Sequence, residues 1–175
     1  MKMILCDEVH IPMTIAFYHR VVAYLESHIN YPCWSSEHPG DESIIEAVRR
    51  KEQYICMEDG GILGALVLSE DPDGDYDAGN WSRELKQGEY LSVHVLGVSP
   101  DRCKSGIGSF MVDACIAICR SRGYKALRLD IVPTNTPAER LYKKKGFVYA
   151  GTADLKRKTA PIPLFDLYEL NFEDE

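Results

Sequence analysis

Directly after the β-branched, apolar run Tyr90–Val98, the chain reads Ser-Pro-Asp-Arg-Cys-Lys-Ser-Gly-Ile-Gly from Ser99 to Gly108. A strand that ends in a short turn and enters a helix through two glycines leaves the first N–H groups of that helix without intrahelical partners. With no Cβ at Gly106 or Gly108 to obstruct approach, those donors form a seat for phosphate oxygens, and Lys104 adds positive charge. The spacing is neither that of a Walker loop, which ends in Gly-Lys-Ser/Thr, nor the GxGxxG of dinucleotide-binding folds. Two glycines also serve to relieve tight helix–strand packing, so at this point both readings stand.

Other chemistries are excluded by spacing. Asp71, Asp73 and Asp75 resemble the start of a calcium loop, but Gly74 is misplaced and Ser82 stands where a closing Glu is needed. The six cysteines form no CxxC pair and no ligand-like spacing with His, which predicts reduced, mostly buried thiols and no metal. Lys and Arg number 20 against 27 Asp and Glu, a formal charge of −7. That balance lacks the basic footprint of a nucleic-acid binder and suits a cationic or amine substrate. No apolar run is long enough for a membrane span, and Asp7 and Glu8 interrupt any signal-peptide core, so a cytoplasmic protein is expected.

The elements that must position the Val98–Gly108 segment follow from periodicity. Met1–Cys6 suits a short strand, and Ile15, Tyr18, Val21, Val22, Leu25 and Ile29 recur at helical spacing over 11–28. Asp41 is the expected cap of a second helix ending near Arg50. Tyr54–Met57 and Ile62–Leu68 read as a hairpin turning at Asp59-Gly60. Ser69–Gly88 is an acidic loop, expected to be solvated and able to act as a lid carrying Trp81. Strand 90–98, helix 105–122 and strand 126–132 come next. A helix then opens with Thr136 as cap, Pro137 at its first position, Glu139 completing a capping box and Gly146 ending it. Strands over 148–153 and 164–170 complete an α/β pattern with helices on a mixed sheet.

After strand 126–132, Asn135, Ala138, Leu141, Tyr142, Gly146 and Phe147 fall in the order N-x-x-A-x-x-L-Y-x-x-x-G-F. Together with Val98, Pro100 and the Gly106-Ile107-Gly108 turn upstream, this resembles the GNAT superfamily of acyl-CoA-dependent N-acetyltransferases. The resemblance is specific over Tyr90–Phe147 and extends in outline to the rest of the chain. It implies one domain over 1–175 with a GNAT fold. Such a fold has a mixed, mostly antiparallel sheet of six to seven strands, splayed between strands 4 and 5 and flanked by about four helices. It implies acetyl-CoA as cosubstrate, with the backbone of Leu96, Gly97 and Val98 pairing with the pantetheine amides. The N–H groups of Cys103, Lys104, Ser105, Gly106, Ile107, Gly108 and Ser109 would hold the pyrophosphate. Asn135 would contact the cofactor arm, Ala138 and Leu141 would pack beside it, and Tyr142 would protonate the departing sulfur. The family usually carries Gln or Arg three residues before the first glycine. Here that position is Cys103, with Arg102 one place early, which puts a side-chain phosphate contact in doubt. A cysteine near a helix start can also be a low-pKa nucleophile, although the family transfers its acyl group directly to the amine.

An alkylamine with a pKa near that of Lys is only about one part in a thousand neutral at pH 7, roughly 4 kcal/mol to overcome. The base is therefore the demanding group. Ser92 and His94 alternate onto one face of strand 90–98, the face that carries the base in the family when there is one. His94 is the candidate base, acting directly or through water, or serves only as a hydrogen-bonded core residue. Tyr31, Trp34 and His38, in the irregular stretch after the first helix, are candidate acceptor walls along with Ser92. Trp81 and the segment 156–163 are others. The expected reaction is acetyl transfer to a primary amine of a small molecule. The alternatives are a protein N-terminus or lysine as acceptor, and a non-catalytic acyl-CoA sensor. A homodimer is what the resemblance implies, with no nucleic-acid or membrane partner.

Overall fold

The computed structural model describes residues 1–103, 105–158 and 162–173, so Lys104 and part of the segment 156–163 lie outside the described residues. Seven strands hydrogen-bond in the order β1-β2-β3-β4-β5-β7-β6. The chain divides into two compact units.

The first unit comprises residues 1–30, 34–68 and 94–111. Strand β1 (Lys2–Leu5) runs antiparallel to β2 (Gln53–Glu58), which turns into β3 (Gly61–Ser69). Asp59 at φ 51° and Gly60 at φ 78° form that turn, and the pairing of Glu58 with Gly61 closes it as the Asp-Gly step requires. Helix α1 (Ile11–Glu26) buries Thr14, Phe17, Tyr18, Val21 and Val22, a stripe repeating every three and four residues. Helix α2 (Asp41–Arg49) is capped by Gly40 rather than by Asp41, which is its first helical residue. Asp41 and Glu42 instead supply negative charge in the first turn and Arg49 positive charge in the last, as the helix dipole favours. The core joins Phe17, Tyr18, Val21 and Val22 to Trp34, Ile44, Val48, Ile55 and Ile62.

The second unit comprises residues 31–33, 69–93 and 112–175. The first half of β4 (Tyr90–Val98) lies here and pairs in parallel with β5 (Ala126–Ile131), from Tyr90↔Ala126 to Val93↔Leu129. β7 (Leu164–Asn171) is antiparallel to both β5 and β6 (Val148–Asp154). Helix α3 (Ile107–Ser121) contributes its later turns, with Cys115 and Cys119 fully buried. Helix α4 (Thr136–Lys144) is capped by Asn135, whose side-chain oxygen accepts from the Ala138 N–H at 3.3 Å. Thr136 therefore starts the helix instead of capping it, and the expected capping box does not form. Lys143 and Lys144 place positive charge in the last turn of α4, where the helix dipole favours it.

Candidate functional site

In the first unit, the chemistry gathers at the end of β4. Val95 has φ 45°, a left-handed conformation that a β-branched side chain resists. Holding it costs on the order of 1–3 kcal/mol, so the surroundings must over-determine it. They do so from α1 and β2. The buried Tyr18 hydroxyl donates to the Val95 carbonyl at 3.0 Å, and Gln53 Nε2 donates to the Tyr18 oxygen at 3.4 Å. Gln53 is itself held by the carbonyls of Leu66 (2.9 Å) and Tyr54 (3.2 Å). Burial raises the Tyr18 phenol well above its usual pKa, so it remains a donor.

Two residues on, Gly97 lies against an aromatic wall. A Cβ there would stand 3.3 Å from the Trp34 ring and 3.6 Å from Phe17. Trp34 is buried, tilted on Tyr18 at 6.0 Å, and its backbone N–H and carbonyl both bond the Asn30 amide. Trp34, a candidate acceptor wall by sequence, is thus placed within the core cluster and against Gly97 of β4. His38 is exposed, its backbone bridged to Ser35, and His94 is half-buried.

After Val98, the Ser99 N–H donates to Leu63 and a single 3-10 turn, Pro100–Arg102, leads to Gly106 at φ 83°. The Cys103 and Ser105 N–H groups are engaged in that turn, donating to Pro100 and Arg102. The first bond of α3 runs from Phe110 N–H to the Gly106 carbonyl, so the amides of Ile107, Gly108 and Ser109 precede any intrahelical acceptor. Of the amides expected to hold phosphate over 103–109, these three have the geometry of a helix start, and Lys104 lies outside the described residues. Arg102 is committed to Glu58 at 3.2 Å. The N-terminal ammonium first, and Arg102 second, hold the Glu58 carboxyl below the usual carboxylate range. Cys103 is exposed, its thiol near the Ser99 carbonyl.

In the second unit, Ala138, Leu141 and Tyr142 follow the capping Asn135 at the spacing that shares one face of α4. Tyr142 is 5% exposed, with Phe147 edge-on at 5.4 Å. Burial first, then Cys115 and Asp130, raise its phenol well above the ordinary value of 10.0, so it is fully protonated at neutral pH. Tyr31 is half-buried. Ser92 is fully buried, in register with Arg128, and its hydroxyl has no hydrogen-bond partner among the described residues.

The acidic loop is not the free lid that its composition suggests. Arg128, 2% exposed, lies 4.1 Å from the Trp81 ring centre and 4.4 Å from that of Tyr90, and donates to the Arg83 carbonyl at 2.8 Å. Glu169 accepts from the Ser82 N–H at 2.7 Å. At the loop's other end Tyr76 donates to Asp130 at 2.7 Å, and Arg157 grips Asp130 and the Pro72 carbonyl. The loop frames a cavity of about 750 Å³ lined by Asp75, Asp77, Glu84 and Glu89 among others. Asp75 is paired with Lys156 and Glu89 with Lys125, both at 2.5 Å, so much of its negative charge is balanced locally. Arg128, Asp130 and Tyr18 escaped sequence reasoning; the one available signal was a pair of charges inside the apolar strand 126–132.

Among the described residues no group of three or more His, Cys, Asp or Glu is placed to hold a metal ion. No helix among them is long and apolar enough to cross a membrane. The chain is 35% identical over 83 residues to a mycothiol acetyltransferase of Clavibacter sepedonicus, covering 47% of this chain and 27% of that protein. It therefore spans well under half the length of that relative. Its fold matches an acetyltransferase of the GNAT family from Streptococcus agalactiae with TM-score 0.78 at 15% identity, covering 99% of this chain and 96% of the other. It also matches a ribosomal-protein-alanine N-acetyltransferase from Brucella melitensis with TM-score 0.71 at 15% identity, covering 98% of this chain and all of the other. Residues 16–147, which hold the kinked strand, the glycine turn and the Tyr142 helix, match the acetyltransferase (GNAT) family model, and the chain belongs to that family.

Proposed function

We propose that the chain is a single acetyltransferase domain that moves the acetyl group of acetyl-CoA to a primary amine of a small molecule. The observation that carries this reading is the entry to α3, where consecutive helix-start amides follow a glycine at φ 83° with open space above it. Such donors suit the diphosphate of CoA. The Leu96–Val98 backbone is assigned to the pantetheine amides, and Asn135, Ala138 and Leu141 to the cofactor arm. The acceptor class is supported by the relative with 35% identity, named for mycothiol. The Brucella match, at 15% identity, speaks to fold alone.

In this reading the amine, having given a proton to His94 or water, attacks the thioester carbon. The carbon–sulfur bond breaks, the sulfur takes the Tyr142 phenolic proton, the acylated nitrogen gives up its second proton to solvent, and the phenol is reprotonated from solvent. The products are the N-acetyl amine and CoA. A thiol with a pKa near 8.5 is a tolerable leaving group, so the acid supplies the low end of the usual 10²–10⁴-fold range.

The test is CoA release from acetyl-CoA across a panel of small amines and N-terminal peptides. Transfer to a small amine, reduced in Tyr142→Phe, is expected. Preferred transfer to peptides replaces the small-molecule acceptor with a protein one. CoA binding without release above hydrolysis for any amine leaves the sensor reading in its place.

A further inference from the structure

We infer that Tyr18 is a positioning residue for acyl transfer, acting through the Val95–Leu96 peptide and not on the substrates themselves. In a trans peptide the carbonyl of one residue and the N–H of the next point in opposite directions in one plane. The Tyr18 hydroxyl holds the Val95 carbonyl at 3.0 Å from the α1 side, so the Leu96 N–H is aimed away from α1. Left-handed Val95 is what turns this peptide, and three contacts keep it there. They are the Tyr18 bond, the Gln53 amide behind the phenol at 3.4 Å, and the Val95 side chain packed on the core of Phe17, Tyr18 and Trp34.

The direction of the phenol is set by the Val95 carbonyl, which can only accept and so takes the single phenolic hydrogen, while the Gln53 amide nitrogen lies 3.4 Å from the phenol oxygen. A fixed donor aimed before the reaction starts is what stabilises a carbonyl oxygen as charge gathers on it. The assignment rests on the acetyl-CoA reading, since the carbonyl that the Leu96 N–H would meet is that of the thioester.

Binding tests this without an acceptor amine. Acetyl-CoA and S-ethyl-CoA have the same length, but the thioether lacks the carbonyl oxygen. Calorimetric titration of the wild-type chain should show acetyl-CoA bound about five- to tenfold more tightly, the worth of one hydrogen bond. In Tyr18→Phe that preference should fall to within about twofold while S-ethyl-CoA affinity is unchanged. Phe fills the same core space and lacks one oxygen, so the variant is expected to fold. A measurement on the wild type stands independently of any variant. The infrared band of ¹³C-labelled acetyl-CoA should lie at a hydrogen-bonded thioester frequency when bound, and should move to higher frequency in Tyr18→Phe. An undiminished preference in Tyr18→Phe, or an unbonded carbonyl band in the wild type, overturns the role of Tyr18 and leaves the acetyltransferase reading intact. Failure of the wild type to bind either ligand overturns that reading and this assignment with it.

Discussion

Arg128 on β5 and Glu169 on β7 are register partners, their charged ends 3.9 Å apart, and each is about 2% exposed. At that distance they attract without sharing a hydrogen bond. Each instead makes one hydrogen bond to the backbone of the acidic loop, Arg128 donating to Arg83 and Glu169 accepting from Ser82, while Arg128 Nε and Glu169 Oε2 have no hydrogen-bond partner among the described residues. Removing one charge strands the other in a low-dielectric interior, at a cost of about 3–5 kcal/mol. Arg128→Met should lose that much in urea melts and expose the loop to trypsin at Arg83 and Lys86. The double variant Arg128→Met/Glu169→Met should recover part of the loss. An Arg128→Met chain with wild-type stability refutes the anchoring role.

Gly64 and Gly106 are expected to fail differently. A Cβ on Gly64 would meet the Met111 sulfur, stand 3.0 Å from the Gly97 carbonyl and 3.3 Å from Ile107. The sulfur can move, but the carbonyl belongs to β4, so Gly64→Ala should destabilise by about 1–3 kcal/mol through overpacking. Around Gly106 there is open space and the difficulty is φ 83°. Gly106→Ala should cost about 1–2 kcal/mol in conformation and weaken CoA binding. Thermal melts and CoA titrations of the two variants separate the effects.

Tyr142 should carry a distinctive pH profile. Its phenol is raised above 10.0 by burial, so the acid form persists through the physiological range. Turnover should rise with pH as the amine deprotonates and show no fall assignable to this acid below about pH 10. Tyr142→Phe should lower kcat about 100-fold with the acetyl-CoA dissociation constant within twofold. A descending limb near pH 8 that disappears in Tyr142→Phe contradicts the burial argument.

Acid should destabilise the fold through particular carboxylates. Glu58, Glu89 and Glu139 are held below their ordinary pKa, chiefly by the N-terminal ammonium, Lys125 and Lys143 respectively. A depressed folded-state pKa contributes stability that is present above the unfolded value, roughly 4.3, and lost as pH falls through the folded one. Melting temperature should therefore hold from pH 7 to about 5 and decline below about 4. Glu89→Gln should flatten part of that decline. An unchanged slope would show that the Lys125 pair is worth nothing to the fold.

Much of the scaffold was legible because it is written in local chemistry. The α1 stripe and the Asp59-Gly60 turn each depend on residues within a few positions of one another, as do the entry glycines of α3. The caps were legible only in kind. Asn135 and Thr136 are both good capping residues, and the choice between them is made by backbone angles that neither dictates. Where Trp34 packs and what tethers the acidic loop were illegible for a related reason. An aromatic in an irregular stretch does not announce its burial, and a loop with Asp71, Asp73 and Asp77 exposed does not announce the buried side chains that hold it. The distant partners are Gly97 for Trp34, and Arg128, Asp130 and Glu169 for the loop.

By itself the amino-acid order determined the family motif, the sequence of elements and the residues whose backbone amides open α3. Tertiary structure alone decided that Val95 is turned left-handed with its carbonyl on Tyr18, and that Arg128 and Glu169 share a buried row. Periodicity reports which face of an element is apolar. It does not report where a single hydroxyl or guanidinium finds its partner, because that partner is brought close only when strands far apart in the chain pair.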